Sequence, residues 1–232
     1  MRVMKFGGSS LADLERVEQV ADILVERSGK GQIAAVLSAP GKTTNNIVEA
    51  VDINCTGGSD IDALTRVETT FKNIVDGLTK KYPEFDQTIV NAVWDKESAL
   101  ISRTLNGVKL LAQCPDNIRA QLLVVGERLS IAIMQQLLTA RGVSVGLLEP
   151  KEFMSGNSDY LEAQVNIELS RSKIENKDLS VARVWLMPGF TAANSDGEIV
   201  TLGRNGSDYS AACLAACLRA DCCEIWTDVD GV

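Results

Sequence analysis

Apolar positions change their period along the chain, and each change marks an element. Residues 2–6 form a short apolar strand that runs into the turn Gly7-Gly8-Ser9-Ser10. Leu11, Leu14, Val17, Val20, Ala21 and Leu24 follow at helical spacing, with Gly29 near the stop. Ser10 with Asp13 three residues later resembles a capping box. Residues 32–38 are almost continuously apolar, as expected of a strand covered on both faces. Residues 39–45 read as a loop, with a helix starting near residues 44–46. From about 59 to 113 two helical stripes follow one another, Leu64-Val67-Phe71-Ile74-Val75-Leu78 and Ile89-Val90-Val93-Trp94-Leu100-Ile101-Leu105. Strand signals are sparse there, so this stretch reads as a helical excursion from an α/β core. Cys114-Pro115-Asp116 ends it. One long helix is predicted over about 117–140, stopping at Arg141-Gly142.

Residues 143–148 form the next strand. Residues 155–160 are polar without a period, and a weak helix follows to about 176. Residues 181–187 form a strand ending in Pro188-Gly189-Phe190-Thr191. Residues 198–202 alternate as a strand, residues 211–220 read as a buried helix, and residues 223–226 form a last strand. The alternation predicts an α/β fold: a mainly parallel open sheet with helices on both faces. In such folds ligands bind beyond the carboxyl ends of the strands.

Composition narrows the chemistry. The chain has 232 residues, is 45% hydrophobic and carries a formal charge of −8, from 23 basic and 31 acidic residues. That balance argues against nucleic acid or an anionic membrane as the main partner. The sequence has no uninterrupted apolar run of transmembrane length and enters a strand without a leader, so a soluble, cytoplasmic protein is expected. Six cysteines occur with no C-x-x-C and no histidine anywhere. Small buried thiols are the expected reading of the cysteines, and no metal site is expected. Catalysis by a Ser-His-Asp or Cys-His set is excluded.

Several motifs fail. Gly41-Lys42-Thr43 is not a P-loop, because the required first glycine is Val36. No G-x-G-x-x-G is present. Asp228-x-Asp230-Gly231 is not a calcium loop, since its first ligand position is Trp226.

Two stretches survive. Lys5-Phe6-Gly7-Gly8-Ser9-Ser10 places a lysine at a strand end, glycines after it and a helix start beyond, which suits a polyphosphate. Leu202-Gly203-Arg204-Asn205-Gly206-Ser207-Asp208-Tyr209 places a glycine loop with a forked cation before a helix, with Ser207 and Asp208 where N-caps usually stand. Taken alone, each is equally compatible with a capped turn and solvated charges.

These two stretches, with Val36-Leu37-Ser38-Ala39, Gly126-Glu127, Gly189-Phe190 and Trp226-Thr227-Asp228, occur in an order that resembles the aspartokinases of the amino-acid kinase fold. The likeness covers essentially all 232 residues. Cys114-Pro115-Asp116 and the segment from Gly203 to the end are most similar to the aspartokinase part of threonine-sensitive bifunctional aspartokinase–homoserine dehydrogenases. The resemblance implies one three-layer α/β/α domain over 1–232 that is incomplete at its C-terminus. ACT and dehydrogenase domains would lie beyond it, and the parent would be a cytoplasmic homo-oligomer.

The resemblance also implies a reaction, transfer of the γ-phosphoryl group of ATP to the side-chain carboxylate of L-aspartate. Lys5 then contacts the transferring phosphates, and Asp208 orients Lys5. Arg204 clamps a substrate carboxylate and Glu127 holds its ammonium. Ser38, Thr44, Phe190 and Ser207 line the substrate pocket. Gly7, Gly8, Ser9, Thr227 and Asp228 touch the nucleotide, and Mg2+ arrives with ATP, held mainly through its phosphates. Further nucleotide contacts are expected after Val232, so residues 1–232 alone should bind ATP weakly. The alternatives are a sister kinase acting on glutamate or carbamate, and a catalytically silent binding module.

Overall fold

The computed structural model describes residues 1–227. In chain order the elements are β1 (Arg2–Phe6), α1 (Leu14–Lys30), β2 (Ile33–Leu37), α2 (Thr43–Cys55), α3 (Ile61–Lys81), α4 (Gln87–Leu111), α5 (Asp116–Leu123) and α6 (Val125–Ala140). Then follow β3 (Val145–Leu147), α7 (Pro150–Phe153), α8 (Ile167–Ile174), β4 (Val184–Pro188), β5 (Thr191–Ala193), β6 (Ile199–Thr201), α9 (Gly206–Leu218) and β7 (Cys222–Trp226). Five strands form one parallel sheet in the order β3-β4-β2-β1-β7.

The pleat sorts its side chains into two cores. Met4, Phe6, Ile33, Ala35, Leu37, Val184 and Leu186 face the layer built from α1 to α6. Val3, Ala34, Val36, Trp185 and Met187 face the layer of α7, α8, α9 and the β5–β6 hairpin. Every residue of β2 and β4 is buried, which accounts for their unbroken apolar runs. Each large side chain so buried contributes roughly 1.5–3 kcal/mol. The expected three-layer, mainly parallel architecture is therefore present.

The structure corrects several boundaries. The glycine turn after β1 leads not into α1 but into a single 3-10 turn, Ser9–Leu11. Helix α1 starts at Leu14, and its cap is Asp13, whose carboxylate accepts from the Arg16 amide at 3.0 Å; Ser10 plays no such part. The helix ends at Gly31 rather than Gly29.

The long helix expected over 117–140 is two helices broken at Val124. The break sits where the chain must come close to another loop. A Cβ on Gly126 would lie 2.4 Å from the Ala39 side chain. The span Asp116–Ala140 is long and apolar enough in composition to cross a membrane, which the sequence reading missed. Here 83% of its most apolar window is buried inside the fold.

Strand 198–202 does not join the parallel sheet. Its residues form β6, antiparallel to β5, a strand the sequence did not reveal. The hairpin turns at Gly197, whose φ is +74. The Asn194 carboxamide oxygen accepts from the amides of Asp196 and Glu198 and holds that turn closed. Buried thiols describe Cys213 and Cys217 only; Cys55, Cys114 and Cys222 are half-buried and Cys223 is exposed.

Candidate active site

At the carboxyl ends of β1, β2 and β4 the chain opens a cavity of about 390 Å3. Its walls include Lys5, Ser38, Thr44, Glu127, Phe190, Arg204, Ser207 and Asp208. These eight are all the residues expected to do chemistry or hold the substrate. The volume falls within the ordinary range for small-molecule sites, roughly 300–1,000 Å3.

Lys5 reaches the cavity because it is next to last in β1. Phe6 and Met4 point into one core and Val3 into the other. Its Nζ lies 2.6 Å from Asp208 Oδ1. Asp208 is not the cap of α9. That helix begins at Gly206, with Asn205 as its cap in a left-handed conformation (φ +59) and without a side-chain bond. Ser207 and Asp208 therefore lie inside the first turn. A carboxylate there meets the positive end of the helix as well as Lys5.

The loop before α9 is tightly turned. Gly203 (φ +69) and Asn205 are both left-handed, and the Gly206 amide donates to Gly203 O at 3.0 Å. Phe190 is also left-handed (φ +65), a rare state for a bulky residue. It is held there from both sides. Its ring fills the space where a Gly206 Cβ would stand, 2.5 Å away, and its amide donates to Ser210 Oγ at 2.8 Å. The fully buried Ser210 hydroxyl in turn donates to Gly206 O.

Glu127 is the opposite case. It lies in the first turn of α6 and is 3% exposed. Gly126 before it lets α6 close on the Ala39–Thr43 loop, and Ser130, three residues on, donates to Ser38 O at 2.6 Å. Helical spacing puts both on the face toward β2. One carboxylate oxygen of Glu127, Oε2, has no hydrogen-bond partner. Burial pushes its pKa from the ordinary 4.5 up to about 8. The amides of Glu127 and Ala39 and the charge of Arg128 pull more weakly the other way. A buried acceptor without a partner, in a cavity wall, is suited to a ligand that brings a cation.

The residues expected at the nucleotide divide differently. Gly7 lies beside the Lys5 ammonium, which would stand 3.5 Å from a Cβ there. Gly8 is needed for packing: a Cβ would meet the carbonyls of Ala39 and Gly41 at 2.9 Å. Ser9 and Thr227 line a separate cavity of about 160 Å3 with Phe6, Arg16 and Trp226. Asp228 lies outside the described residues. Among the described residues no group of three metal-ligating side chains stands together.

Sequence reading passed over Asn45, which also lines this 390 Å3 cavity. Its only signal was its place beside Thr44 at the start of α2.

The chain as a whole is similar to known proteins. Residues 1–232 match the amino acid kinase family as a whole. The chain is 43% identical over its full length to the bifunctional aspartokinase/homoserine dehydrogenase of Haemophilus influenzae and 40% identical to that of Buchnera aphidicola. It spans only 28% and 29% of those relatives. Among solved structures, Escherichia coli aspartokinase III in complex with aspartate and ADP superposes with a TM-score of 0.85 at 26% identity, over the whole of this chain and 50% of that one. By sequence and by fold, the chain belongs to the amino acid kinase family.

Proposed function

We propose that this chain is the aspartokinase part of a longer, cytoplasmic protein and that it transfers the γ-phosphoryl group of ATP to the side-chain carboxylate of L-aspartate, forming 4-phospho-L-aspartate and ADP. One observation carries the reading: the Glu127 carboxylate, whose Oε2 has no hydrogen-bond partner, shares a cavity with Lys5 and Arg204. An acceptor with one ammonium and two carboxylates complements that set. The relatives' names and the ligands of the solved structure support the same choice.

The substrate carboxylate needs no base, since its pKa is about 3.9 and it is ionised at neutral pH. Its oxygen attacks the γ-phosphorus while the bond to the ADP oxygen breaks. The protein's task is to align two anions and to balance the charge between them. Arg204 takes the α-carboxylate in a forked contact. Glu127 takes the ammonium, and Ser38, Thr44, Phe190 and Ser207 close the walls. Lys5 stabilises the equatorial oxygens of the transferring group, held in place by Asp208. Gly7, Ser9, Thr227 and Asp228 serve the nucleotide.

ATP brings Mg2+, which neutralises phosphate charge. The cavity's carboxylates are Glu127 and Asp208, and Asp208 is engaged by Lys5. Phosphate oxygens would therefore supply most of its ligands. The test is acceptor-dependent ADP release by the full-length protein. L-Aspartate should support turnover, and L-glutamate and carbamate should do so poorly. Equal rates with aspartate and glutamate would refute the assignment.

A further inference from the structure

Glu97 is a buried carboxylate for which phosphoryl transfer has no use. It lies on α4, in the helical arm made by α3 and α4, and is 2% exposed. Its Oε2 stands 2.9 Å from Arg128 Nη1. Arg128 follows Glu127 directly on α6, yet Glu127 Oε2 has no partner. The nearest arginine in sequence is paired with Glu97 on α4 and makes no hydrogen bond to Glu127 Oε2. Burying a carboxylate is costly unless it is paired, so the arm carries Glu97 at a desolvation cost that Arg128 offsets.

We propose that Glu97 is a positioning residue for the acceptor site: by holding Arg128 on the α4 side of α6, it keeps that guanidinium from occupying Glu127 and reserves Glu127 for the ammonium of the substrate. The inference rests on the reading of Glu127 given above. The charged groups around Glu127 come from several elements. Lys5 on β1, Arg204 on the loop before α9 and Asp208 on α9 share its cavity. Arg128 adjoins it on α6, backed by Glu97 on α4. Lys5 is already paired with Asp208. Arg128 is the neighbour whose compensation depends on the helical arm, and its charge already draws the Glu127 pKa down against burial.

The experiment uses the full-length protein and compares Glu97→Gln with Glu97→Gln/Arg128→Met and Glu127→Gln. In Glu97→Gln the guanidinium loses its counter-charge. The rise of kcat/KM for aspartate with pH should move to lower pH. The KM on the alkaline plateau should rise about tenfold, as for loss of a contact to a charged group, with kcat unchanged. Removing both charges should restore the plateau KM and move the rise to a pH above that of the parent. A merely structural role predicts that the double variant is no better than the single one.

The inference is overturned if Glu97→Gln leaves both profile and plateau KM unchanged. It is also overturned if the double variant loses aspartate affinity as Glu127→Gln does. If Glu97→Gln fails to fold, the double variant decides alone, because an ion pair made neutral around a buried carboxylate is commonly tolerated. Should Glu127→Gln itself leave KM unchanged, the reading of Glu127 falls and this inference with it. If Glu127→Gln raises KM and Glu97→Gln does nothing, only this inference falls.

Discussion

Two carboxylates face the same cavity and are treated in opposite ways. Asp208 is 44% exposed at its side chain, sits in the first turn of α9 and has Lys5 at 2.6 Å. Glu127 is 3% exposed and has an oxygen with no partner. The first is balanced inside the protein before any ligand arrives. The second is left in deficit. In the proposed reaction, the balanced pair lies where charge must be delivered at one fixed point during transfer. The deficit lies where a ligand cation must be recognised. The comparison separates a site half that works on the transition state from one that works on binding.

The largest expected effect comes from breaking the balanced half. Lys5→Ala in the full-length protein should lower kcat by on the order of 10²–10³, as when a preorganised charge stabiliser is removed. Steady-state ADP release measures it, and an unchanged kcat would remove Lys5 from the chemistry. Breaking the other half should give a smaller and different loss. Glu127→Gln should raise the KM for aspartate by about 10- to 150-fold, the cost of a lost hydrogen bond to a charged group, with kcat nearly kept. If both variants shifted the same kinetic constant, the two halves would not be separate.

That division was only partly legible in the sequence. Lys5, Arg204, Glu127 and Asp208 were found through motif order, but nothing local says that they meet. They converge because β1 ends, and α6 and α9 begin, at the carboxyl ends of the parallel strands. Strands β2 and β4 read clearly because burial on both faces makes them almost uniformly apolar. Thr191–Ala193 did not, because three residues in a hairpin carry too little period. The break at Val124 is hidden inside the apolar run Leu122-Leu123-Val124-Val125. The close packing of nearby Gly126 on Ala39, far away in sequence, leaves no local signal either. Asp13 was passed over as a cap because Ser10 offered a capping-box spacing at a plausible helix start. Glu97 had no signal, since a glutamate on a long helix is normally solvated.

pH sharpens the contrast further. In the proposed complex aspartate's ammonium needs Glu127 ionised, and burial delays that ionisation to about pH 8. kcat/KM for aspartate should therefore increase as pH rises from 7 and level off above 8, roughly tenfold overall for one group titrating in the free enzyme. Glu127→Gln should flatten the profile over that range. A wild-type profile already flat between pH 7 and 9 would mean that Glu127 is ionised without the substrate.

The smallest effect is on stability, and it isolates the deficit without any turnover. Between about pH 4.5 and 8 folded Glu127 keeps its proton, while in the unfolded chain it has lost it. The unfolded state then binds fewer protons, so this group's contribution to stability falls as pH rises. It is complete below pH 4.5 and gone above about 8. The slope for one group is at most about 1.4 kcal/mol per pH unit, and 1 kcal/mol corresponds to roughly 2–4 °C in a chain of this size. Other groups titrate as well, so the informative quantity is the difference in Tm between the wild type and Glu127→Gln. With no ligand present, the wild type should lose ground to the variant as pH is raised from 5 to 8. Saturating aspartate supplies the missing cation and should erase that trend in the wild type alone. If the difference stayed constant with pH and aspartate did not alter it, Glu127 would be neutralised within the protein, as Asp208 is.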